Sequence, residues 1–204
     1  MQEKQMNDDT HHGSGHHAHT QGRGPSSFRI LDPEAAFRAL ALKTGDQVLD
    51  LGCGPGDYTL RAAREVGRSG RVWALDKWAY LVDGVRAEAA RSELGNVSTT
   101  VADITEPLRI STGSIDLCLL GTVLHGMGLS LAGETLFGEV QRVLKPGGRL
   151  AVIEFNKEDK PFGPPEHCRL SPGDVRKALH PHGFHYLNQV DLGDAYLIQF
   201  STIV

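Results

Sequence analysis

The chain is 204 residues long, with 21 Lys and Arg against 25 Asp and Glu and a formal net charge of −4, short of the cationic surplus expected of a general nucleic-acid binder. Its 40% hydrophobic residues and 24 glycines exclude global disorder and suit one domain. No apolar run reaches the roughly 18–20 residues of a membrane span; Met1-Gln2-Glu3-Lys4 does not open a signal peptide, and the sparse Cys53, Cys118 and Cys168 fit a soluble cytoplasmic protein better than a disulfide framework.

Residues 1–27 hold five of the ten histidines and no aliphatic β-branched residue, and read as a disordered His-rich tail ahead of a domain over 28–204. Asp32 is placed to cap a helix with Pro33 at its first position, carrying Phe37, Leu40 and Ala41 on one face as far as Lys43. A strand over 47–51 then leads through a Gly-rich loop into a helix over 57–66. Strand 71–75, helix 79–94, strand 97–102 and strand 115–120 follow. Helix 131–144 ends at Pro146-Gly147-Gly148, read as a turn into strand 149–155. The polar, Pro-rich stretch 156–170 reads as a long loop. Ser171-Pro172-Gly173-Asp174 has the spacing of a capping box, and strands 184–190 and 195–203 close the domain. Strand–helix alternation predicts an α/β sheet covered on both faces, and the closing strand pair demands one antiparallel strand.

Val48-Leu49-Asp50-Leu51-Gly52-Cys53-Gly54-Pro55-Gly56 lies where a doubly wound sheet binds nucleotide-like ligands. A dinucleotide site calls for Gly-x-Gly-x-x-Gly and a helix N-terminus open to pyrophosphate. Here the spacing is Gly-x-Gly-x-Gly, Asp50 and Asp57 flank the loop, and Asp57 is expected to cap the helix. A cationic ligand without phosphate suits this better, and S-adenosylmethionine carries a sulfonium and an ammonium. Asp76 ends the second strand, where an acid can accept from both ribose hydroxyls, in an adenosine or an NAD site alike. Asp103 ends the third strand, within reach of an adenine amino group, with Ile104 able to pack on the ring; an ordinary loop aspartate is the competing reading.

Together with Leu144-Lys145-Pro146-Gly147-Gly148, these segments resemble the successive motifs of class I S-adenosylmethionine-dependent methyltransferases over residues 30–204. Lys145–Gly148 and Leu170-Ser171-Pro172 are most similar to the type 11, ubiquinone/menaquinone-biosynthesis branch. The resemblance implies a Rossmann-like three-layer sandwich whose seven strands run 3-2-1-4-5-7-6, with strand seven antiparallel. It also implies that Asp50 and Gly52 meet the methionine ammonium, with Cys53 and Gly54 beneath the cofactor. Asp76 then holds the ribose, Lys77 and Trp78 lie near adenine beside Asp103 and Ile104, and Gly121 and Thr122 flank the methyl group.

His125, just after the fourth strand, is the candidate general base, with packing or capping as the competing role. Glu154, at the end of the fifth, is a second candidate, for acid–base work or for a structural hydrogen bond. With little chain outside the core fold, the acceptor pocket is expected from residues 28–43, the turn after Leu120 and the 156–170 loop, which suits a small molecule. The cysteines form no close pair, which disfavours arsenic bound by several thiolates. His11, His12, His16, His17 and His19 have the composition of a zinc or nickel binder. Two rivals stand beside methyl transfer: an NAD-dependent oxidoreductase, and a non-catalytic cofactor-binding module with a metal-binding tail.

Overall fold

The computed structural model describes residues 26–127 and 129–202; the His-rich positions His11 to His19 lie outside them. Seven strands form one sheet: β1 (Gln47–Leu51), β2 (Arg71–Asp76), β3 (Val97–Val101), β4 (Ile115–Gly121), β5 (Leu144–Phe155), β6 (His185–Asp191) and β7 (Ala195–Ser201). They run β3-β2-β1-β4-β5-β7-β6, and β7 is antiparallel to both its neighbours. The expected order and the one reversed strand are both present.

Alternation along the strands feeds two cores. Val48, Leu117, Leu119, Ala151 and Ile153 pack on one face with Phe37 of α1 (Pro33–Leu40) and Ala62 and Val66 of α2 (Asp57–Val66). Leu49, Leu51, Cys118, Leu120, Leu150 and Val152 turn to the other, against Leu136, Phe137 and Val140 of α4 (Leu129–Val143) and Val175 and Leu179 of α5 (Pro172–Leu179). Residues buried on both sides must be apolar, as Leu117–Leu120 of β4 are; Asp116, at its outer end, is only half-buried and is paired with Lys145. α3 (Ala79–Arg91) places the fully buried Val82 and Val85 against the β2 end of the sheet.

Local signals act as their chemistry requires. The Asp32 side chain accepts from the Ala35 amide at 3.0 Å, and Ser171 and Asp174 form a reciprocal capping box. Three details differ from the sequence reading. Asp57 does not cap α2: Gly56, at φ 88°, holds that position, because the tight turn needs a left-handed residue. Pairing of β5 starts at Leu144 rather than Arg149, since Pro146–Gly148 loops out within the strand; the register moves from Ile115↔Leu144 to Leu117↔Arg149. Ser26 and Ser27, which composition groups with the tail, belong with the fold, and Ser27 is buried in a 3₁₀ turn.

No helix among the described residues is long and apolar enough to cross a membrane. Arg61 reaches Glu34 at 2.8 Å and Glu65 at 2.9 Å, so acids compensate its charge on the surface of α2.

Candidate active site

Strand order reverses between β1 and β4, and the carboxyl ends of the central strands splay there around a cleft of about 1180 Å³. Small-molecule sites run to roughly 300–1,000 Å³, so this one has room for two ligands side by side. All eleven positions expected to meet a cofactor line it: Asp50, Gly52, Cys53, Gly54, Asp76, Lys77, Trp78, Asp103, Ile104, Gly121 and Thr122.

The loop after β1 is shaped by backbone geometry. Gly52 has φ 76°, and a Cβ there would lie 2.7 Å from a Val123 methyl; one at Gly54, φ 52°, would meet nothing within 4 Å. Gly52 is thus pressed against the turn after β4, while Gly54 leaves open space in the cleft wall. Asp76 fixes the loop: its Oδ2 accepts from the Gly54 amide at 3.0 Å, its Oδ1 from the Trp78 amide at 2.9 Å. Each oxygen retains a second lone pair.

The wall on this side is acidic. Asp50, 3% exposed, accepts from the Thr59 hydroxyl at 2.5 Å. Burial, reinforced by the nearby Asp76 and opposed by the Thr59 bond, pushes its carboxyl up to about 6. Asp103 is held below the ordinary carboxylate range by the Thr105 hydroxyl and amide, both bonded to its Oδ1. It is both a loop aspartate and a cleft residue. Asp57, at the first position of α2, sets one oxygen 3.5 Å from Arg29 and buries the other without a hydrogen-bond partner among the described residues. A phosphate on this loop would meet the Asp50 and Asp76 carboxylates, both of which line the cleft. A cation would relieve Asp50 and find acceptors in place. The donor set therefore fits the ammonium, sulfonium and ribose of S-adenosylmethionine, and does not fit a pyrophosphate.

Another part of the lining is apolar and aromatic. Ile30, Tyr58, Met127, Phe155 and Phe162 form it, with Pro161, Gly163 and Pro164 from the 156–170 segment. Within 28–43 only Ile30 takes part. Tyr58 stacks edge-on to Phe28 with centroids 5.1 Å apart, and its hydroxyl lies 3.4 Å from Ser27 Oγ. Thr122, strained at φ 56°, places Oγ1 3.1 Å from the same Ser27. The 156–170 segment is tied down rather than free. Arg169, 2% exposed, donates to the carbonyls of Pro164, Phe162 and Asn156 at 2.8, 2.5 and 3.1 Å. Its guanidinium also stands 5.6 Å from the Phe155 ring centroid.

His125 lines the cleft from a 3₁₀ turn after β4, and Glu154 lies behind it, outside the lining. Nδ1 of His125 is 2.8 Å from Glu154 Oε2. Only Cys53 of the three cysteines lines the cleft, and burial beside Asp50 and Asp76 pushes its thiol up, away from the thiolate. Among the described residues no three His, Cys, Asp or Glu gather as a metal site.

A seven-stranded sheet with a reversed seventh strand, and an acidic cleft at its switch point, together define the S-adenosylmethionine-dependent methyltransferase class. The chain matches the methyltransferase domain family over residues 42–183 and belongs to it. It is 34% identical over 128 residues to a ubiquinone/menaquinone biosynthesis C-methyltransferase of Hydrogenovibrio crunogenus, covering 62% of this chain and 49% of that protein. It is 31% identical over 140 residues to an arsenite methyltransferase of Halobacterium salinarum, covering 69% of this chain and 34% of that one. The chain thus spans between a third and a half of the length of these curated relatives. The crystal structure of a SAM dependent methyltransferase from Aquifex aeolicus superimposes with a TM-score of 0.78 at 26% identity, over 88% of this chain and 94% of that one.

Proposed function

We propose that this chain is a cytoplasmic enzyme that transfers the methyl group of S-adenosylmethionine to a small-molecule acceptor. The observation that carries the reading is the pairing, in one cleft, of an acidic wall suited to a cationic donor with an apolar aromatic wall for an acceptor. When bound, S-adenosylmethionine supplies a methyl group already activated by its sulfonium. The protein's task is orientation, which in favourable cases supplies about 7–11 kcal/mol of a barrier.

Asp76 serves the ribose through its remaining lone pairs, and Asp50 with the Gly52 backbone serves the ammonium. Lys77, Trp78, Asp103 and Ile104 frame adenine. Cys53, Gly54, Gly121 and Thr122 bound the space between donor and acceptor. Phe155, Phe162 and Tyr58 exclude water from the acceptor side. The single cleft thiol suits an organic acceptor better than one held by several thiolates. Three free cysteines suit a reducing cytoplasm. For the tail, our reading is that His11, His12, His16, His17 and His19 can bind zinc or nickel, because five imidazoles fall within nine residues.

Calorimetry separates the alternatives. Binding of S-adenosylhomocysteine without binding of NADH is the expected result. NADH binding alone would replace this reading with an oxidoreductase, and tight S-adenosylhomocysteine binding without turnover on any acceptor would favour a non-catalytic module.

A further inference from the structure

The Glu154 carboxylate is 1% exposed and has no Lys or Arg within ion-pair distance among the described residues. The hydroxyl of Tyr196, its partner across β5 and β7, turns away and donates to the Leu170 carbonyl at 2.8 Å. Both oxygens of Glu154 are directed to one residue: Oε2 to His125 Nδ1 at 2.8 Å, Oε1 to the His125 amide at 3.3 Å. Burying a carboxylate costs several kcal/mol unless something compensates it. Among the described residues the one titratable group placed to do so is the imidazole of His125, whose ring lines the cleft.

With Glu154 as the acceptor of the Nδ1 contact, the matching tautomer carries its hydrogen on Nδ1 and leaves a bare lone pair on Nε2. Nε2 has no hydrogen bond among the described residues and is not sealed from solvent, while the ring, 21% exposed, is part of the cleft lining. Leu124, fully buried beside it, anchors the turn that presents the ring.

The geometry points to His125 as the catalytic base and Glu154 as its positioning residue, and hence to an acceptor that brings a removable proton on its attacking atom. This rests on the methyl-transfer reading above. The proton on the acceptor atom passes to Nε2 as that atom bonds to the methyl carbon. The carbon–sulfur bond breaks, its electron pair stays on sulfur, and the sulfonium of the donor becomes a neutral thioether. The imidazolium so formed is an ion pair with Glu154, which gives the buried carboxylate its counter-charge only when the base has done its work.

The test uses full-length protein labelled with ¹⁵N-histidine and saturated with S-adenosylhomocysteine. Long-range ¹H–¹⁵N spectra are expected to show His125 Nδ1 protonated and Nε2 bare; the opposite tautomer overturns the dyad. Turnover is followed with phenols and enolic carbon acids, which carry a removable proton, and with pyridines and tertiary amines, which do not. Methylation is expected only in the first group. His125→Gln should lower kcat by about 10²–10⁴-fold, with the dissociation constant of S-adenosylhomocysteine unchanged. Glu154→Gln should lower kcat less and alter the acid limb of the pH profile. Wild-type turnover by His125→Gln, or methylation of a pyridine, overturns the inference. If no acceptor in the panel turns over, the tautomer decides it. Failure to bind S-adenosylhomocysteine would instead defeat the methyl-transfer reading, while the tautomer would still be read.

Discussion

Asp50 is an acid buried in the middle of a sheet, and replacing it should make the protein more stable. Its carboxyl lies at about 6 in the folded chain against 3.8 in the reference state, because burial disfavours the charge. Well below pH 3.8 both folded and unfolded chains hold the proton. Between pH 3.8 and about 6 the unfolded chain has released it while the folded chain keeps it, so stability falls across that window and levels off above it. The loss approaches about 3 kcal/mol by pH 7, from a shift of roughly two units at 1.36 kcal/mol each. Asn in place of Asp mimics the protonated form, and the Thr59 hydroxyl can rotate to satisfy it. Asp50→Asn should therefore gain about 2–3 kcal/mol at pH 7.5 and little at pH 4, raising the melting temperature by about 5–10 °C for a chain of this size. Calorimetric scans of both proteins from pH 4 to 8 isolate this residue as their difference. The same variant should bind S-adenosylhomocysteine about 10–100-fold more weakly at pH 7.5, having lost a charge-assisted partner for the ammonium. Parallel pH–stability curves for wild type and variant would refute the electrostatic account. Unchanged ligand affinity would remove Asp50 from the ammonium.

Asp76→Ala should cost about 2–4 kcal/mol of cofactor affinity in calorimetry, since it removes the ribose acceptors and frees the Gly54 and Trp78 amides; an unchanged dissociation constant would place the ribose elsewhere. Arg169→Lys keeps the charge but not the planar fork that reaches three carbonyls. Chymotrypsin should then cut within 156–170 several-fold faster than in wild type, and equal cutting would show that the guanidinium does not hold the segment. Deleting residues 1–24 should abolish zinc or nickel binding, itself lost below about pH 6 as imidazoles protonate, and leave cofactor affinity and melting temperature unchanged; loss of methyl transfer in the truncated chain would put the tail in the active site.

The elements and one wall of the cleft were legible in the sequence because their signals are local. A cap at Asp32, a capping box at Ser171 and the apolar run Leu117–Leu120 of β4 each announce themselves within a few residues. The pairing of His125 with Glu154, 29 positions apart, was not legible as a pair, since the β4–β5 register creates it. Arg169 looked like any charge in a polar loop; only the folded path of that loop turns three carbonyls toward it. Ser27 was lost in a polar tail, and no local signal marked Tyr58 as part of the cleft. Aromatic spacing at Phe28, Phe37 and Tyr58 was the one available hint of their cluster.

The reversal of strand order between β1 and β4 divides inheritance as well as space. Almost every side chain proposed to hold the donor precedes residue 105. The acceptor wall, apart from Ser26, Ser27, Ile30 and Tyr58, comes from residue 121 onward. The two halves meet along a short ladder, Val48↔Leu117 to Asp50↔Leu119. A lineage can thus rewrite what is methylated by drift or recombination in the later half, while the earlier half keeps supplying the same reagent. A chimaera joined between residues 105 and 114 would carry one protein's ammonium, ribose and adenine contacts and most of another's acceptor wall, with Ile30 and Tyr58 still from the first.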